Sequence, residues 1–188
     1  MSQTPREKLG GLLRDLRSEG SFSTRRTTPV GDLDIEVQGV GPLRLPVPAS
    51  QAKQLRLVAR PAKYGQGEQT VFDRRVHDTW EVPRSRVKID KRKWNRTLRP
   101  MLTDIAGTLG LTSDVSLTAE LHSMLVYEPG QFFASHQDSE KSDEMIGSLV
   151  VMLPSASTGG ELVVEHHGET ATYGESRSCG CPKSSHTV

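Results

Sequence analysis

Aromatic residues are scarce: four Phe, three Tyr and two Trp make up 5% of 188 residues, and the whole hydrophobic fraction is 34%. A core can form from this, but it is lean. Cysteine is nearly absent. Cys179 and Cys181 stand one residue apart, too close for an easy disulfide and useless as a framework, which fits a reducing compartment. Charge of one sign is not in excess either, since 24 Lys and Arg against 23 Asp and Glu leave a net +1. No global field therefore argues for nucleic acid, an acidic substrate or a membrane surface. No apolar run approaches the roughly 20 residues a membrane-spanning helix needs, and MSQTPREKLGGLLRDLRSEG carries charges throughout, with no apolar secretory core. The expectation is a cytoplasmic or nuclear protein with no membrane contact.

The length suits one domain with a leader. Leu9, Leu12, Leu13 and Leu16 recur at helical spacing over residues 5–20, and the Ser/Thr/Arg-rich stretch 21–29 reads as linker. Residues 1–30 are thus expected to form a flexible leader, 31–170 the domain, and 171–188 a disordered or atypical tail. Within the domain, DLDIEVQGVGPLRLPVP suggests short strands broken by Gly and Pro, QAKQLRLVAR (51–60) a short helix, and Tyr64 to Gly67 a turn. Leu98, Met101, Leu102, Ile105 and Leu109 predict one helix over 91–110, with Pro100 as an awkward interior residue and Gly110 near the end. From Leu117 the pattern changes to strands in AELHSMLVYE, QFFASH, GSLVVMLP and GELVVEHH. Helices first and strands last point to an α+β fold, with helices packed on one face of an antiparallel sheet or sandwich.

The chemistry concentrates in FFASHQDSE. On a strand, His136 and Asp138 would project to the same side, because side chains alternate faces with period two. An imidazole and a carboxylate are two members of the two-histidine, one-carboxylate triad that holds non-heme Fe(II) and leaves positions open for substrates. Spacing alone is a weak signal, since such triplets arise by chance.

The context adds to it. Tyr127, Pro129-Gly130 before Phe132-Phe133, His136-x-Asp138, SLVVMLP, and Gly159-Gly160-Glu161-Leu162 succeed one another over Leu121 to Gly168, and this stretch resembles the core of prolyl 4-hydroxylase-like Fe(II)/2-oxoglutarate-dependent dioxygenases. The resemblance implies a double-stranded β-helix (jelly roll), incomplete at its C-terminal end. It also implies Fe(II) held by His136 and Asp138, 2-oxoglutarate as co-substrate, ascorbate as accessory reductant, and hydroxylation of a protein side chain, prolyl among the choices, or of a small molecule. Tyr127 stands where the family often lines the 2-oxoglutarate pocket; a core tyrosine with a satisfied hydroxyl is the alternative. Gly159-Gly160 reads as a tight turn before a strand. The polar stretch 139–145 reads as a solvated turn, with a lid loop as the alternative.

The family pattern asks for a distal histidine. His186, with Thr187-Val188 after it, faintly resembles it at a shorter spacing than expected, and Arg177 and Lys183 are the only late cations. The chain reads as a C-terminally truncated or alternatively ended member, so a catalytically impaired binding module stands beside the enzyme reading. His166 and His167, adjacent on an expected strand, should face opposite sides. Zinc held by Cys179, Cys181, His166, His167 or His186 is a weaker reading, because CxC beside paired histidines lacks the usual knuckle spacing. The eight Lys and Arg between residues 84 and 99 read as the solvated face of a helix rather than a nucleic-acid surface.

Overall fold

The computed structural model describes residues 20–29, 33–66, 69–71, 73–138, 142–174 and 183–187; for 29, 64–66, 69–71 and 183–187 the backbone alone is described. The leucine stripe of residues 5–20 lies almost wholly outside them, as do Arg177, Cys179 and Cys181. The fold is mixed α+β, with mostly antiparallel sheets and two helices among the described residues. None of these helices is long and apolar enough to cross a membrane.

The first half of the chain carries strands β1 (Arg25–Pro29), β2 (Ile35–Val37), β3 (Gly41–Pro42), β4 (Arg60–Pro61), β5 (Tyr64–Gln66), β6 (Gln69–Val71), β7 (His77–Asp78), β8 (Trp80–Pro83) and β9 (Val87–Ile89). Helix α1 (Ala49–Val58) comes after β3, and α2 (Lys91–Thr108) after β9. The second half carries β10 (Ser123–Val126), β11 (Phe132–Phe133), β12 (Val150–Met152), β13 (Leu162–His166), β14 (Glu169–Tyr173) and β15 (Lys183–Thr187).

Helix α2 forms where its sequence says it should. The Asp90 carboxylate caps the start by accepting from the Arg92 and Lys93 backbone N–H groups at 2.8 and 3.0 Å. The end is a Schellman motif: Gly110 adopts φ +76°, the Leu111 N–H reaches the Ala106 carbonyl at 2.9 Å, and the Gly110 N–H reaches Gly107 at 3.2 Å. Trp94, Leu98, Ile105 and Ala106 form the buried face. Pro100 sits inside the helix as expected, on an exposed position.

That face closes the core. Leu98 and Trp94 pack with Ile35, Val37 and Val87 of the antiparallel sheet β3-β2-β9, with Leu33, Val47 and Val82, and with Leu55 of α1. In β2 the alternation is strict, with Ile35 and Val37 buried and Glu36 exposed, as a one-sided strand requires. The buried side chain of Gln51 in α1 ties the preceding loop down, accepting from Arg44 N at 2.9 Å and donating to Pro42 O at 2.8 Å. Apart from Pro154, all buried aliphatic and aromatic side chains among the described residues fall between Leu33 and Ala106. The later strands add Met124, Val126, Val151 and Leu153 only as half-buried packing against this core.

Three expectations change. The 21–29 stretch, linker by composition, holds strand β1, because tertiary contacts outweigh its polar sequence. Arg26 ion-pairs with Asp104 and donates to Thr108 Oγ1 at 2.6 Å, Ser21 N reaches Thr108 O at 2.9 Å, and Ser23 Oγ hydrogen-bonds the Tyr173 hydroxyl at 2.8 Å. Residues 64–66 form one arm of the β5-β6 hairpin instead of a turn. In the tail, β15 is the middle strand of the sheet β1-β15-β12.

Because the core lies in the first half, Leu98→Ala is expected to cost about 2–5 kcal/mol of unfolding free energy. Leu125→Ala on β10, at a side chain 40% exposed, should cost well under half as much. Urea denaturation of the two variants checks this, and equal losses would place the core elsewhere.

Candidate functional site

Strands β7 and β8 offer one nearly continuous edge, and both β10 and β11 pair antiparallel with it. Val126 lies opposite Trp80, while Phe132 lies opposite Asp78. Phe132 is six positions beyond Val126, yet Trp80 is only two beyond Asp78, so four extra residues bulge out between the strands. Tyr127-Glu128-Pro129-Gly130-Gln131 make the connection. Gly130 takes φ +83°, and Glu128 and Gln131 close the loop through Gln131 N to Glu128 O at 3.0 Å and Glu128 N to Gln131 Oε1 at 2.7 Å. The Glu128 carboxylate accepts from Trp80 Nε1 at 2.7 Å and pairs with Arg56, whose guanidinium lies 4.6 Å from the Trp80 ring. The Pro-Gly element thus sets the register of β11.

Three rings stack beyond the bulge. Phe133 lies opposite His77 in the β11-β7 ladder, and the two rings are parallel within 4° at 3.5 Å. His136 covers the other face of Phe133 at 3.4 Å and 15°. The ladder continues through Ala134 N to Val76 O at 2.7 Å, and the Ala134 carbonyl faces His136 Nδ1 at 2.8 Å. A carbonyl can only accept, so Nδ1 carries the hydrogen and, in the neutral ring, Nε2 presents its lone pair.

Nε2 faces Asp138 Oδ1 at 3.4 Å. The other carboxylate oxygen, Oδ2, accepts a short hydrogen bond from the Ser148 hydroxyl. His136 and Asp138 therefore converge, although neither lies in a strand. The turn after β11, and not strand alternation, brings them together. A protonated imidazole would ion-pair with the carboxylate across this gap, and a neutral one leaves the Nε2 and Oδ1 lone pairs aimed at a position a cation can share. For ligand distances of roughly 2.0–2.2 Å, the 3.4 Å edge subtends an angle of roughly 100–116° at the shared ion. A divalent metal fits this edge, and the Ala134 and Ser148 hydrogen bonds are the outer contacts such ligands need.

The remaining candidates are distributed differently. Tyr127, 48% exposed, sits in the bulge; partial burial raises its phenol pKa, and a hydrogen bond with the Thr79 side chain opposes that shift. His186 occupies the β15 register position between Val151 and Arg26, and Val151 is three residues along the chain from Ser148. Only the backbone of His186 is described. His166 and His167 do not face opposite ways: His167 takes φ +47° and Gly168 φ +83° in the two-residue turn joining β13 to β14, and the two imidazoles touch edge-on at 4.2 Å. Gly159 and Gly160 adopt φ +75° and +79°, as a tight turn before β13 requires. Among the described residues, no three His, Cys, Asp or Glu side chains gather as a metal-ligand set. No family model, curated protein or solved structure matches the chain.

His77 is the site residue that sequence reading misses. It is 2% exposed and neither ring nitrogen has a hydrogen-bond partner. The burial pattern around it puts His77 and Thr79 inward, polar residues where an apolar alternation would mark a core face, so periodicity gives no signal. Burial, and next the nearby His136, hold its pKa below the ordinary 6.5, against smaller opposing effects of the Lys63 backbone, Glu81 and Asp138. Below pH 6.5 the unfolded chain binds this proton and the folded chain does not, so the stability contribution is present above that pH and is lost as pH falls through it. Thermal unfolding between about pH 7 and 5 should show a smaller decline for His77→Phe than for the wild type; parallel curves would contradict the buried neutral imidazole.

Proposed function

We propose that His136 and Asp138 form the open edge of an Fe(II) site in a 2-oxoglutarate-dependent dioxygenase of the prolyl 4-hydroxylase-like type, on a double-stranded β-helix core. The carrying observation is Nε2 of His136 facing Asp138 Oδ1 at 3.4 Å, with Nδ1 committed to a backbone carbonyl. The order of Tyr127, Pro129-Gly130, Phe132-Phe133, His136-x-Asp138 and Gly159-Gly160 supports the same reading.

In this reading the metal, when bound with 2-oxoglutarate and O2, supplies the oxidation that converts a C–H bond of a protein side chain or small molecule to C–OH. The chain's own groups hold and orient. His136 Nε2 and Asp138 Oδ1 are the ligands, Ala134 O fixes the imidazole tautomer, and Ser148 fixes the carboxylate. Phe133 covers one ring face of His136 and keeps water from it. Tyr127 offers a phenol to a keto-acid carboxylate, and His186 on β15 is the candidate third ligand.

The absence of a three-residue ligand set among the described residues favours a second reading, in which two protein ligands retain iron weakly and the protein acts as a binding module. Succinate release from 2-oxoglutarate with Fe(II) separates the two. Wild-type release that falls at least tenfold in His136→Ala is the expected result for the enzyme. Equal release by both proteins removes that reading, and no release from a wild type that still takes up Fe(II) leaves the binding module.

A further inference from the structure

Between Arg84 and Arg99 the chain places eight cations, Arg84, Arg86, Lys88, Lys91, Arg92, Lys93, Arg96 and Arg99, against one acid, Asp90. That acid is already committed to capping α2. Of the eight, only Lys93 pairs with a described carboxylate, that of Asp34.

The arrangement on α2 is directional. Trp94, Leu98 and Ile105 face the core, and at 100° per residue the opposite face carries Arg92, Arg96, Arg99 and Thr103, all exposed. Three arginines thus stand one above another on the outer surface, over about 10.5 Å at 1.5 Å per residue. The first turn of the helix holds no acidic residue, and Lys91, Arg92 and Lys93 occupy it instead, where the positive end of the helix dipole disfavours cations by about 0.3–1 kcal/mol each. The Asp90 cap and Asp34 offset the first turn in part, but Arg92, Arg96 and Arg99 on the outer face pair with no described carboxylate.

We infer that this face binds the phosphate backbone of duplex nucleic acid without reading its sequence. Arginine forks bind phosphate bidentately, and three arginines spread over about 10.5 Å can each meet one phosphate of a duplex whose strands carry a charge every roughly 3.4 Å of axis. The aromatic residue of the segment, Trp94, is 8% exposed and faces the core, so the face offers no ring on which unpaired bases would stack. It has no apolar side chain to insert into a bilayer either, since Leu98 is 6% exposed.

Fluorescence anisotropy of the full-length protein with labelled DNA and RNA duplexes of about two helical turns tests this, beside anionic phosphatidylserine vesicles and polyglutamate as competing polyanions. The variant Arg92→Gln/Arg96→Gln/Arg99→Gln changes exposed residues only, and its circular dichroism and unfolding midpoint report whether it folds like the wild type. The expected result is duplex binding at about 50 mM salt that weakens at least tenfold in the variant. The slope of log K against log salt should become shallower by about 2.7 for DNA, about 0.9 for each phosphate no longer neutralised. Binding of one duplex type and not the other identifies the source of the phosphates. No duplex binding, binding unchanged in the folded variant, or tighter binding to vesicles or polyglutamate than to duplex would each overturn the inference. Lys91, Lys93 and Lys88 remain for a second variant set, Lys→Gln, should the arginine variant fail to fold, with the same outcomes read from it.

Discussion

The seating of Phe132-Phe133 on His77-Asp78 is the contact on which the candidate site depends. Once Phe133 lies against His77 in the antiparallel ladder, the next residues have little freedom, because Ala134 is held to Val76 and its carbonyl points at the His136 ring. The four-residue bulge before it matters for the same reason. A β-bulge re-aims the side chains downstream of it, and here the Glu128 contacts to Trp80 and Arg56 fix where the bulge ends. Glu128 thereby sets the frame in which His136 and Asp138 meet.

The fold divides its labour unevenly. The helices and the sheet β3-β2-β9 bury most of the apolar side chains, while β10 and β12 lie against that core half-exposed. Rigidity therefore comes from one side of the site and access from the other. His77 and Val82 stand on the buried edge, whereas His136 and Asp138 keep 26% and 52% of their side-chain surface open. Two donor groups in that position are held from behind and reachable from in front.

Much of this is legible in the sequence where a local signal and the tertiary structure agree. The stripe Leu98, Met101, Leu102, Ile105 and the stop at Gly110 mark α2 to within two residues of Lys91–Thr108, because amphipathic period and C-cap chemistry are both local. The convergence of His136 and Asp138 is also legible, though for a reason other than the expected one: a turn held by the Ala134 carbonyl and by Ser148, ten residues from Asp138, does the work of strand alternation. Strand β1 is not legible, since nothing in Arg25–Pro29 discloses that Asp104, Thr108 and β15 await it. His77 is hidden because a buried unpartnered imidazole breaks the polarity pattern that sequence reading relies on. His167 is hidden for a backbone reason: adjacent residues on a strand diverge, but a residue at φ +47° is in a turn.

The central claim is that the His136 and Asp138 donors share one divalent cation. Anomalous diffraction at the cobalt edge from crystals grown anaerobically with Co(II), a stand-in for Fe(II), tests it most directly. The account predicts a peak at roughly 2.0–2.2 Å from both His136 Nε2 and Asp138 Oδ1; metal bound elsewhere, or a His136–Asp138 edge left without a peak at saturating cobalt, would contradict it.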